Sequence, residues 1–192
     1  MNQARKIIGE HLSGKKVLIL FALTNAVYAA MIFITIPKVM AFSGGLKLLD
    51  MMPLGYDLDH VNALFTALGE KGRDIYLYNQ IPVDMIYPFL FGISYSLTFA
   101  YFLHKLGKLD SVFFYVILLP LVAGTADYLE NTGIVLMLHS FPNVSPVMAS
   151  LTNVCSMLKS AATTLFFILL ILLILWFGIK TLTESKRGAR TR

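Results

Sequence analysis

Three stretches of this sequence run for about twenty residues without a charged side chain: Val17 to Pro37, Met85 to His104 and Ala161 to Ile179. That length is what an α-helix needs to cross a hydrocarbon core of about 30 Å. A fourth apolar stretch starts at Val112 and is interrupted by AGTADYLENTG, residues 123–133. A chain that is 57% hydrophobic and 14% charged has the composition of a polytopic membrane protein. The expected fold is all-α: a single integral membrane domain over 1–192, built as a four-transmembrane-helix bundle. Its helices are expected at about 17–37, 83–104, 112–138 and 152–179, with an extracytoplasmic helical loop at 38–82 and a basic tail at 180–192. The first stretch continues apolar to Phe42, longer than a signal-peptide core, so it is read as a retained helix despite the small residues of VYAA at 27–30.

Charge sets the expected orientation. Eleven of the sixteen basic residues lie in the N-terminal segment, in the 2–3 loop (Lys105, Lys108) and in the tail. Cytoplasmic faces collect Lys and Arg, so both termini are expected inside, in the inner membrane of a bacterial cell. The tail SKRGARTR beside a final apolar helix reads as an orientation signal touching anionic lipid, and no nucleic-acid partner is expected. Cys155 is the only cysteine, which excludes an intrachain disulfide and a dithiol mechanism.

The 38–82 loop carries helical grammar. Asp57 or Asp59 can N-cap a helix whose apolar positions Val61, Leu64, Phe65 and Leu68 recur at helical spacing, with Gly69 as a C-cap. Such a helix would lie on the membrane surface or across the bundle's outer end. Tyr76, Tyr78 and Tyr87 are placed where aromatic rings favour the interface. Pro82 reads as a first-turn proline of the second membrane helix, and Pro88 and Pro120 as deeper kinks.

The candidate site is a polar layer. Counting inward at 1.5 Å per residue from the cytoplasmic helix ends places Asp84, Asp127, Glu130 and Lys159 about 22–30 Å deep, nearly one level. Asp127, Glu130 and Asn131 share one helix face through i, i+3 and i+4 spacing. Two carboxylates buried side by side require a proton or a nearby cation, and Lys159 is the membrane-embedded cation available. Lys159 is therefore expected to reach Asp127 and Glu130, with Asp84 closing the cluster. The alternative is that Asp84 caps a helix, Lys159 snorkels to the surface and the third helix ends near Asn131.

Other chemistries fit less well. The four histidines lie near helix ends or in loops, so a histidine zinc site is not expected. The oxygen groups could hold a hard cation, but Lys159 at their level argues against one. No metal and no cofactor is expected. No serine nucleophile elbow is present.

MMPLGYDLDHVNALFTALGEKGRDIYLYNQIPVDMIYPFLFGISY and LLPLVAGTADYLENTGIV resemble a group of small bacterial four-helix membrane proteins. These share GY, then LGxxGRxxY, then DxxYP or DxxFP, then DYxEN. The likeness covers about residues 51–135 and implies a fold and a location, but no reaction. It carries over Gly55, Tyr56, Gly69, Gly72, Arg73, Tyr76, Asp84, Tyr87, Pro88, Asp127, Tyr128, Glu130 and Asn131, and makes Arg73 a second candidate partner for the carboxylates.

Three functions are compatible with these features. The first is binding of a lipid, amphiphile or small polar ligand at Asp84, Tyr87, Asp127, Glu130, Asn131, Lys159, Arg73 and Tyr76. The second is a lipid-modifying enzyme using Asp127 or Glu130 as acid or base. The third is structural assembly with another membrane subunit or a further copy of the chain. Ion conduction would require an oligomer, since four helices leave little room for an aqueous path.

Overall fold

The computed structural model describes residues 12–190, with side chains described to Glu184. Among the described residues all regular structure is helical. Four helices are long and apolar enough to cross a membrane: Gly14–Met40, Leu58–Lys105, Val112–Ser140 and Pro146–Glu184. Their outward faces carry large apolar side chains, such as Phe33, Phe89, Leu129 and Ile171.

We label α1 as Gly14–Met40, in which the helix opens into a π turn at Met31–Thr35 before Ile36–Met40. Helix α2, Leu58–Ile75, follows a short 3₁₀ turn at Leu49–Met51. It runs through a second π turn, Tyr76–Gln80, and the turn Ile81–Asp84 into α3, Tyr87–Lys105. After 3₁₀ turns at Val112–Ile117 comes α4, Leu118–Ser140, and the long α5, Pro146–Arg190.

The two π turns have a local cause. Proline lacks the N–H that would bond four residues back. Pro37 and Pro82 each stand two residues beyond a π turn. Just ahead of each, the chain widens to bonds five residues long, Ile36 N–H to Met31 O and Ile81 N–H to Tyr76 O. The sequences TIPKVM at 35–40 and QIPVDM at 80–85 echo each other, and their first residues meet: Thr35 Oγ1 donates to Gln80 Oε1. A break at Met85–Ile86 then puts Pro88, not Pro82, in the first turn of the long helix α3. The expected deep kink at Pro88 is thereby corrected, because a proline in a first turn forfeits no intrahelical bond.

Helix α2 is amphipathic. Asp57 caps it, accepting from the His60 N–H at 2.8 Å. Val61, Leu64, Phe65 and Leu68 are buried, in one apolar cluster with Ile134, Met137 and Leu138 of α4 and Ala149 of α5. Gly69, at φ 61°, breaks the helix into two differently directed segments. A second apolar cluster at the other end of the bundle joins Phe91, Tyr95, Phe99 and Leu103 of α3 to Phe166 and Leu170 of α5. Edge-to-face rings run through it, including Tyr95 against Phe166 at 5.9 Å.

The approach of α3 to α4 depends on Gly124, three residues before Asp127. A Cβ built there would stand 2.7 Å from the Pro88 carbonyl oxygen, a backbone atom with no side-chain freedom to yield. Gly124→Ala should therefore push the helices apart and cost about 1–3 kcal/mol. A thermal melt of the detergent-purified protein checks this: the midpoint falls for Gly124→Ala and does not fall for alanine at Gly178, where a Cβ meets nothing within 4 Å.

Candidate functional site

The polar layer forms between α3, α4 and α5. Helical spacing turns Asp127, Glu130 and Asn131 to one side of α4, where α5 supplies Lys159. Lys159 Nζ lies 3.2 Å from Asp127 Oδ1 and forms a second ion pair with Glu130 Oε2. Lys159 therefore turns inward rather than snorkelling. Its side chain is 16% exposed, that of Asp127 8% and that of Glu130 0%, so the bridge is sealed on the Glu130 side and opens slightly at Lys159.

Asp84 joins from the turn that precedes α3. Its backbone carbonyl accepts from Asn131 Nδ2 at 3.2 Å, and its carboxylate receives a long contact of 3.5 Å from Gln80 Nε2. Gln80 is in turn held by Thr35. Asp84 is 3% exposed. The cluster thus gathers three buried carboxyl groups around one amine.

Among the described residues, Glu130 Oε1, Asn131 Oδ1 and the Tyr56 hydroxyl are buried without a hydrogen-bond partner, as is the Ser156 hydroxyl on α5, three residues before Lys159. Tyr56 comes from the loop before α2. Its backbone N–H donates to Asn153 Oδ1 of α5 at 2.9 Å, and Gly55 beside it, at φ 94°, leaves space that a Cβ would close at 2.7 Å from the same oxygen. Burial pushes the Tyr56 phenol well above its ordinary value, with Glu130 the charge acting most strongly in the same direction. The phenol keeps its proton and stands as a donor.

Other expected site residues lie elsewhere. Arg73 does not reach the acids; its Nη1 donates to Phe65 O at 2.8 Å and its guanidinium lies over the Phe141 ring at 4.7 Å. A flat, delocalised cation is stabilised on a ring face, and the Gly69 kink turns Arg73 toward that ring. Tyr76 is fully buried rather than interfacial, and its hydroxyl donates to Asp50 at 3.1 Å. Tyr87 stacks on Tyr28 of α1 at 5.4 Å, joining α1 to α3 one turn along from Asp84.

Sequence reasoning overlooked Thr35, Asp50, Gln80 and Asn153, and named Tyr56 only through the resemblance, without a place in the polar layer. A signal existed for two of them: Gln80 precedes Asp84 by four residues, and the TIPKVM and QIPVDM segments align Thr35 with Gln80.

An apolar groove of about 360 Å³ runs along the outer seam of α4 and α5, lined by Leu118, Leu121, Ala126, Leu129 and Leu158 among others. Ala126, Leu129 and Leu158 are the chain neighbours of Asp127, Glu130 and Lys159. Among the described residues, no group of three or more His, Cys, Asp or Glu side chains is arranged to hold a metal ion.

Comparisons with family models, with curated proteins and with solved structures return no match. What the site does is therefore argued from its own geometry.

Removing one partner of a buried ion pair leaves the other uncompensated, at about 3–5 kcal/mol. Lys159→Met should thus unfold the protein at a markedly lower temperature than wild type, while Lys159→Met combined with Asp127→Asn and Glu130→Gln recovers most of the loss. Equal melting of the single and triple variants would show that the bridge contributes nothing.

Proposed function

We propose that this chain is an integral membrane protein that binds an amphiphile or small polar ligand at the Asp84, Asp127, Glu130 and Lys159 layer near the outer leaflet. The observation carrying this reading is the trio of buried, unpartnered polar atoms, Glu130 Oε1, Asn131 Oδ1 and Tyr56 OH, beside the Lys159 bridge. A buried polar atom left unpaired costs about 1–3 kcal/mol, so three such atoms on residues of this layer support the reading of a site that a ligand would complete. The proposed topology has four membrane helices and both termini in the cytoplasm, with α2 roofing the layer from outside. Loops at the proposed inner face are rich in Lys and Arg, which supports that orientation.

Two measurements test this. In a Cys155→Ser background, a membrane-impermeant maleimide added to intact cells should label Leu54→Cys, whose native residue is 92% exposed, and should not label Thr183→Cys. The reverse pattern would invert the topology. Native mass spectrometry of protein extracted from its own membrane should show a bound small molecule that Glu130→Gln loses. Identical spectra for the two proteins would leave the layer as a structural pin between helices. Turnover of isotope-labelled lipid, abolished by Glu130→Gln, would instead make the site catalytic.

A further inference from the structure

The charge balance and hydrogen-bonding pattern of the layer specify what kind of ligand completes it. Three buried carboxyl groups, Asp84, Asp127 and Glu130, share the layer with one amine, Lys159, which pairs with Asp127 and Glu130. Asp84 receives only the long contact from Gln80 at its carboxylate. The unpartnered atoms include two acceptors, Glu130 Oε1 and Asn131 Oδ1, together with the Tyr56 and Ser156 hydroxyls, whose oxygens also accept. An anionic head would meet surplus negative charge and an excess of acceptors. A group with several N–H donors and a positive charge satisfies both demands.

The surroundings add a second constraint. The layer is least sealed at Lys159 and Asp127, and their neighbours Leu158 and Ala126 line the α4–α5 groove. From Leu118 to Leu129 that groove follows α4 for about 16 Å at 1.5 Å per residue. Apart from Thr125, whose hydroxyl is turned to the Leu121 carbonyl, its lining is apolar. An extended hydrocarbon chain fits such a surface, and its head would arrive where the polar layer opens.

We infer, on the reading of the layer as a ligand site, that its ligand is an amphiphile with a primary ammonium head, the head bridging Glu130, Asn131 and Tyr56 and the chain lying in the α4–α5 groove. A primary ammonium offers three N–H donors, enough to reach Glu130 Oε1, Asn131 Oδ1 and the Tyr56 oxygen. A quaternary ammonium carries the charge without the donors, and an alcohol offers one donor without the charge.

The test uses the full chain in phosphatidylcholine nanodiscs, with four probes: dodecylamine, dodecyltrimethylammonium, dodecanol and propylamine. The readout is the probe concentration that raises the thermal midpoint. Dodecylamine should act at about tenfold lower concentration than dodecanol or dodecyltrimethylammonium, as expected for charge-assisted hydrogen bonds. Tyr56→Phe keeps the ring and removes only the hydroxyl; it should raise the effective dodecylamine concentration about tenfold, while the unliganded midpoint rises rather than falls because an unpaired buried hydroxyl is gone. Propylamine, lacking the chain, should need a far higher concentration. If it matches dodecylamine, the groove plays no part and the amphiphile assignment is overturned. If dodecanol or dodecyltrimethylammonium equals dodecylamine, and both respond to Tyr56→Phe, the ammonium assignment falls while the ligand site stands. If dodecylamine acts equally on wild type, Tyr56→Phe and Glu130→Gln, it binds elsewhere and the inference is overturned. The general ligand reading is then judged separately by the native mass spectra of wild type and Glu130→Gln.

Discussion

The ion pairs that Lys159 makes with Asp127 and Glu130 are the constraint around which this bundle is arranged. They tie α4 to α5 at one height, and Asn131, on the same face of α4, carries the tie to the Asp84 carbonyl. A charge in an apolar interior must find its partner, whereas a pair of packed leucines tolerates a small axial slip. The bridge therefore sets the register of the helices, and the apolar clusters on either side of it fill the space that register defines. Gly124 is the permissive half of the same arrangement, since α3 can approach α4 closely enough for Asn131 to reach Asp84 only where a side chain is missing.

Much of this was legible in the sequence because it depends on length and height. Charge-free runs reveal helices long enough to cross a bilayer, and a rise of 1.5 Å per residue ranks polar groups by depth. That arithmetic brought Lys159 level with Asp127 and Glu130, and the ion pair is present. Height does not specify azimuth, however. Tyr76 was assigned to the interface from its position along the chain, yet its ring turns inward to Asp50. Arg73 was close enough along the chain to be offered to the carboxylates, but a kink at Gly69 and the ring of Phe141 decide where its guanidinium rests.

The residues missed share a physical reason. Thr35 and Gln80 become part of the layer through two π turns, and Tyr56, named only as a motif residue, through a glycine turn, irregular backbone whose geometry no periodic pattern encodes. The prolines were visible, but their effect is exerted on the turn before them, where the ladder widens from four to five residues. Asn153 presents an otherwise ordinary polar side chain on α5. Its importance comes from a contact with the backbone of residue 56, and backbone partners are invisible to side-chain patterning.

No ordinary loop separates α2 from α3. The chain passes from the amphipathic helix through a π turn and one short helical turn, and these hold Gln80 and Asp84. Because helical turns rather than a flexible loop join them, the direction of α2 and the positions of Gln80 and Asp84 are set together, with Gln80 fixed against Thr35. The amphipathic helix and the Gln80–Asp84 edge of the polar layer are thus one continuous stretch of backbone, pinned beside the paired prolines.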